Sequence, residues 1–340
     1  MLSSVLAKKL QVIGEIYLLN AGIFNLTAGI IGNISMILVF ATLRVFKGNQ
    51  SAFYFIVESI SNIGLLLAIY VSKLLIYILG YDPILRSISW CKIRTMVLQI
   101  FALCSLFDVC CLSFDQYLST NLRFSWRQMS TLNLAHYLTY FNICFATLNS
   151  ITCLIFTEIQ PSMGCSIYNP ILKRYYSFFY YPVITSISPL TITLTTSLLA
   201  YHNVRRIIRR QLPVYRRRLD RQMTAMTLAR VMVLIIGGVP YVCISLYQLN
   251  VNNSENNSTE LAIVSFLLSI TTSFMHANFV VNFYVFLMVS SRFRRQAKTV
   301  LIKKPWRLII SLYDRTLTSP QRNQVFPEIA QRSFSANEPE

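Results

Sequence analysis

Seven stretches of the chain are each long and apolar enough to cross a lipid bilayer as a helix. A hydrocarbon core about 30 Å thick needs about 20 apolar helical residues. A helix also bonds its own backbone polar groups, for which lipid offers no partner. The stretches run approximately 16–43, 53–79, 95–118, 128–157, 175–204, 231–254 and 261–291. We therefore predict an all-α membrane protein, a seven-transmembrane helix bundle.

Composition supports a membrane protein over a soluble one. Only 13% of the 340 residues are charged and the mean hydropathy is +0.50, whereas soluble domains carry about 25% charged residues. The net charge of +18 does not favour a nucleic-acid partner, because the cations lie between apolar stretches and no nucleic-acid-binding motif accompanies them. The three histidines lie in separate stretches without a nucleophile motif, so we expect no enzyme activity, cofactor or metal.

The distribution of Lys and Arg predicts the orientation. Cytoplasmic loops are enriched in these residues, and 22 of the 31 fall on the side that carries the C-terminus, against seven on the other side. Eight arginines lie in the loop 205–221 alone. We predict a multi-pass plasma-membrane protein with its N-terminus outside and its C-terminus in the cytoplasm. Three glycosylation sequons fall on the predicted outer side, at Asn252, Asn256 and Asn257.

Four segments make up the predicted organisation. A short extracellular N-terminus (1–16) precedes the seven-span domain (17–290). Residues 291–304 form a short amphipathic C-terminal surface helix, since Phe293 and Ala297 share one face and cations surround the rest. The polar tail 305–340 is expected to be disordered.

Short motifs, in the right order, make the chain resemble the rhodopsin-like (class A) G-protein-coupled receptors over about residues 13–302. Asp115-Gln116-Tyr117 stands where the family has Asp-Arg-Tyr, 24 residues after Cys91. Pro240 matches the Pro of Cys-Trp-x-Pro, and Asn282 begins a divergent form of Asn-Pro-x-x-Tyr. The resemblance implies a receptor, peptide-receptor-like, that binds an extracellular ligand and signals to a heterotrimeric G protein.

The same motifs depart from the family at their central residues. The family's Arg pairs with acids at rest and meets the G protein on activation, but here it is Gln116, which could only hydrogen-bond to the matching acid, Asp220. Gly238 replaces the family's Trp, and Phe286 replaces its final Tyr. The residues that the resemblance assigns to coupling and activation are Asp115, Gln116, Tyr117, Asp220, Pro240, Asn282 and Phe286.

Two further features follow from the resemblance. A disulfide between Cys91, which opens span three, and Cys165, in the next outer loop, is implied, and the cell exterior permits it. A central polar network is implied at Asn33, Asn62, Ser105, Asn278 and Asn282. Asn33 can bond backbone carbonyls of neighbouring helices. Because Asn62 replaces the family's Asp, we expect no sodium site.

The resemblance narrows the ligand class. The family's amine receptors have an Asp seven residues after the first outer cysteine, where this chain has Leu98, and opsins have a Lys where it has His276. A neuropeptide remains the favoured ligand. The candidate ligand-binding residues are Lys73, Arg94, Leu98, Gln99, Tyr247, Gln248 and His276.

Two other interpretations stay open at this point. The lost motif residues would suit a degenerate receptor with weak signalling. A transporter would favour internal repeats and several intramembrane charges, whereas we see no repeat and only two buried acids, Glu58 and Asp108. Those acids are either functional, as intramembrane acids often are, or simply packed and hydrogen-bonded.

Overall fold

The computed structural model describes residues 2–160, 164–209, 214–250 and 258–303. Seven of its helices are long and apolar enough to cross a membrane, as predicted. The first four spans are α1 (Leu2–Thr42), α2 (Gln50–Leu79), α4 (Ile88–Ser119) and α6 (Leu132–Phe156), and short helices α3 (Pro83–Arg86) and α5 (Phe124–Met129) lie between them. Span five joins α7 (Pro170–Tyr175), a π-helical segment (Tyr176–Ile187) and α8 (Ser188–Arg209); span six is α9 (Val214–Asn250).

Span seven is one apolar stretch in the sequence but two helices in the structure. These are α10 (Ser258–Ala277) and α11 (Asn282–Val289). Between them the backbone tightens, since the N–H groups of Asn278, Phe279 and Val280 bond to carbonyls three residues back. The break frees a carbonyl, that of Phe279, for a partner outside the helix.

The end of the bundle where spans four and five are joined is predicted to be extracellular and is called the outer end here; it carries a β-hairpin. Strands β1 (Thr157–Gln160) and β2 (Gly164–Ile167) pair antiparallel. Cys165 of β2 forms a disulfide with Cys91 of span three, with an S–S distance of 2.04 Å. The predicted Cys91–Cys165 pairing is confirmed, and it ties the hairpin to span three.

Aromatic side chains close the opposite, inner end, where span one ends and span two begins. Phe40, Phe55 and Phe286 are stacked or edge-on with ring centroids about 5 Å apart. Phe293 joins this cluster from α12 (Ser291–Lys298), the predicted surface helix, and is fully buried. Burial of Phe293 and Ala297 explains why this strongly basic helix packs against the bundle.

One predicted boundary looks different in three dimensions. Helix α1 begins at Leu2, so residues expected to form a short extracellular N-terminus continue the first span as helix. Helix α9 runs without interruption through Pro240. The sequons at Asn252, Asn256 and Asn257 and the tail 305–340 lie outside the described residues.

Candidate functional site

A buried ion pair crosses the inner half of the bundle. Arg230 Nε of span six donates to Glu58 Oε1 of span two at 2.6 Å, with the side chains 0% and 2% exposed. Asn282 Nδ2, at the start of α11, donates to the same oxygen at 2.9 Å. Three spans therefore meet at one carboxylate, and this is the only ion pair found among the described residues.

The pair is only partly satisfied. Arg230 Nη1 and Nη2 are buried and lack a hydrogen-bond acceptor within the described part of the chain, and Asn282 Oδ1 lacks a donor there. A buried polar group without a partner costs about 1–3 kcal/mol. Within the described part of the chain, this conformation thus carries an unfavourable term at the ion pair.

Gln116 occupies the position of the family's Arg and links three spans. Its Nε2 donates to Ser51 Oγ of span two, and its Oε1 accepts from Thr224 Oγ1 of span six at 3.0 Å. Gln116 is buried. The side chain of the expected partner, Asp220, lies outside the described side chains. Gln116 therefore closes the inner end through neutral hydrogen bonds to Ser51 and Thr224.

The other motif residues make hydrogen bonds or aromatic contacts in the inner half of the bundle. Asp115 accepts from Ser130 Oγ at 2.6 Å and from Ser51 Oγ at 3.2 Å. Tyr117 lies edge-on to Trp126 of α5, with ring centroids 6.2 Å apart. Phe286 is fully buried in the inner aromatic cluster, where a hydroxyl in place of its hydrogen would need a partner.

The residues of the predicted central network do not form one connected group. Asn33 Nδ2 donates to the free backbone carbonyl of Phe279 in span seven at 2.9 Å. Asn33 Oδ1 accepts from Asn62 Nδ2 at 3.3 Å, and Asn62 Oδ1 accepts from Ser105 Oγ at 2.6 Å. Asn282 Nδ2 instead donates a hydrogen bond to the carboxylate of Glu58.

Asn278 faces span six. A Cβ placed on Gly237 would lie 2.2 Å from Asn278 Nδ2 and 2.8 Å from the carbonyl oxygen of Phe274. Gly237 is thus required by the close approach of spans six and seven at the break. Its neighbour Gly238, in the position of the family's Trp, has nothing within 4 Å of such a Cβ.

The second intramembrane acid, Asp108, is held by hydrogen bonds rather than by a cation. Its Oδ1 accepts from Asn142 Nδ2 of span four at 3.1 Å. Asn142 also donates to the carbonyl of Cys104, which joins spans three and four. Asp108 therefore fits the packing interpretation, whereas Glu58 does not.

The outer half contains two polar groups on opposite sides of span three. Toward spans four and five, Gln99 Nε2 donates to Tyr176 Oη at 3.2 Å, and Tyr176 also lies 2.7 Å from Thr152 Oγ1. Leu98, a predicted ligand position, packs instead against the apolar cluster around Leu66.

Toward spans one, two and seven, polar side chains form a second group. Tyr70 Oη accepts from Asn25 Nδ2 at 3.2 Å and lies 2.9 Å from His276 Nδ1. Arg94 Nε donates to Ser72 Oγ at 2.7 Å. Lys73, which follows Ser72 in span two, is half-buried. Three of the predicted ligand residues, Lys73, Arg94 and His276, therefore lie in one region.

The remaining two ligand candidates lie apart from it. Tyr247 is exposed and donates to Glu260 at 2.7 Å. Gln248 follows it near the outer end of span six and is half-buried.

Arg230 is the functional candidate that sequence reasoning missed. In the sequence it is only an isolated cation beside the apolar stretch 231–254. Intramembrane charges usually pair with one another, so isolated Arg230 and Glu58 could have been matched on that ground. Choosing between Glu58 and Asp108 as its partner required the packing of span six against span two.

Comparison with known families agrees with this architecture. A family model described as "7 transmembrane receptor (rhodopsin family)" matches residues 32–285. Among curated proteins, none matches this chain significantly in sequence. The matched segment contains all seven spans in whole or in part, the disulfide and the buried ion pair. The chain therefore belongs to the rhodopsin family of seven-transmembrane receptors, and it is a receptor rather than an enzyme.

Proposed function

We propose that this plasma-membrane receptor binds a neuropeptide at its outer end and activates a heterotrimeric G protein at its inner end. The Glu58–Arg230 bond supports this most directly, because it holds span six against span two where the inner half must open. Asn282 adds span seven to the same carboxylate. A receptor needs such an element with two arrangements that ligand and partner bias differently.

The closed conformation is held without the family's Arg. Gln116 contributes two neutral hydrogen bonds, each worth about 0.5–1.5 kcal/mol, whereas a bond to a charged group is worth about 1.5–3 kcal/mol. The charged restraint in this chain is instead Arg230 with Glu58, deeper in the bundle. Restraint of span six is thus retained while the cation at the cytoplasmic end of span three is lost.

Coupling is tested with a neuropeptide library and a G-protein dissociation sensor in cells expressing the receptor. At least one peptide should cause dissociation that mock-transfected cells do not show. At matched surface expression, Gln116→Arg should raise the ligand-stimulated response, because it restores a cation that can reach the partner. Ligand binding without dissociation, rescued by Gln116→Arg, would favour the degenerate-receptor interpretation. An unchanged or lower response would mean that Gln116 is already a competent contact.

Orientation has its own test. The three predicted outer sequons should make the protein lose apparent mass on N-glycosidase treatment, and replacing all three should abolish the shift. They are Asn252, Asn256 and Asn257. Asn25 also begins a sequon, but it is buried and bonded to Tyr70, so Asn25→Gln serves as the matched control. A shift that survives the triple replacement contradicts the proposed topology.

A further inference from the structure

Three basic side chains gather between spans two, three and seven in the outer half of the bundle. Lys73 and Arg94 are half-buried, and so is His276. Lys73 lies within electrostatic range of both Arg94 and His276. The cations of Lys73 and Arg94 repel each other, and partial burial deprives them of the water that would screen this repulsion.

No acid among the described residues neutralises this group. The only ion pair there is Glu58–Arg230, at the other end of the bundle. Asp82 acts on Arg94 through its charge, but it makes no salt bridge, and its Oδ1 caps α3 by accepting from the N–H of Ile84.

Most hydrogen-bond donors of Lys73 and Arg94 also have no acceptor among the described residues. Arg94 donates only through Nε, to Ser72, and its two Nη groups have no hydrogen-bond acceptor among the described residues. Lys73 Nζ makes no hydrogen bond or ion pair with any described residue. A free guanidinium edge matches the two oxygens of a carboxylate, and Lys adds a point charge beside it.

We propose that the ligand of this receptor carries a carboxylate, which binds between Lys73 and Arg94 with His276 and Tyr70 beneath it. The inference rests on the proposed ligand-binding function and names its chemistry. A cleft of one charge sign with low-dielectric walls concentrates ligands of the opposite sign. The carboxylate belongs to either an acidic peptide or a small organic acid, since both present the same group.

Two probe panels distinguish these sources. One contains short synthetic peptides, each made with a C-terminal acid and with a C-terminal amide. The other contains mono- and dicarboxylic acids with their methyl esters. Binding is measured as the shift in melting temperature of the purified full-length receptor in detergent micelles. G-protein dissociation is recorded in parallel in cells.

Acid members of one panel should stabilise the receptor, and their amides or esters should bind about tenfold or more weakly, since a charged contact is lost. Lys73→Gln and Arg94→Gln should each weaken the acid by a similar factor. Lys73→Arg should keep much of the binding, which separates loss of charge from misfolding. Lys92→Gln is the matched control, because Lys92 lies two residues from Arg94 but bonds to the carbonyl of Ile155 in span four.

The outcomes separate the two proposals. Acid-dependent stabilisation without G-protein dissociation supports the carboxylate site and counts against coupling. Dissociation caused equally by acid and amide forms supports the receptor function and overturns the carboxylate site. Unaltered acid binding in Lys73→Gln and Arg94→Gln overturns it, as does an absence of acid-dependent stabilisation across both panels.

Discussion

Replacing one residue of the Glu58–Arg230 pair should destabilise the receptor more than replacing both. Loss of one partner leaves a buried, unpaired charge, which costs about 3–5 kcal/mol. Glu58→Gln and Arg230→Met should therefore each lower the melting temperature and the surface expression. Replacing both leaves neutral side chains of similar size, and such replacements are often nearly neutral. The double variant should be more stable than either single variant.

The same double variant should signal more without ligand. The bond joins Arg230 and Glu58 at 2.6 Å with both side chains buried, and a charged hydrogen bond contributes about 1.5–3 kcal/mol. If only the closed state contains it, its loss shifts the closed-to-open ratio by about tenfold to a hundredfold. Basal G-protein dissociation, measured at matched surface expression, should rise until most receptors are open.

Asp108→Asn is the matched control for these variants. Asp108 is an equally buried acid, but it is bonded to Asn142 rather than to a cation. Its neutralisation should leave basal signalling close to wild type. A double variant no more stable than the single ones would show that the two residues are not energetically coupled. Restored stability with unchanged basal signalling would show that the pair is structural and present in both states.

Three further predictions follow from local contacts. Cys91→Ala and Cys165→Ala should reduce surface expression similarly, and the double change should be no worse than either, because one disulfide is lost in all cases; additive losses on a surface immunoassay would contradict the pairing. Gly237→Ala should lower expression and the melting temperature, since its Cβ would lie 2.2 Å from a neighbouring side-chain nitrogen, whereas Gly238→Ala has free space and should be tolerated; equal effects would refute this packing argument. Gln116→Ala should raise basal dissociation severalfold by removing two neutral hydrogen bonds, less than the loss of the charged pair; an unchanged basal level would exclude Gln116 as a restraint.

Local physical chemistry was enough to predict the span count and the surface helix, and the family resemblance added the disulfide. Hydrophobic length identifies a span without reference to its neighbours, because the bilayer imposes the same requirement on each one. Phe293 and Ala297 share a helical face in any context, so the amphipathic helix was predictable, whereas their burial against the bundle is a finding of the structure. The cysteines were assigned from the family's pattern, and the hairpin brings them together.

Tertiary packing alone decided which polar residues meet. Hydrophobic length places Glu58 and Asp108 inside the membrane and Arg230 at the edge of a span, but it says nothing of which helix faces point toward one another. Pairs between spans depend on the rotation and depth of each helix, which are set by side-chain contacts far apart in the chain. For the same reason the break in span seven was not predicted: its freed carbonyl is satisfied by Asn33, a partner 246 residues away.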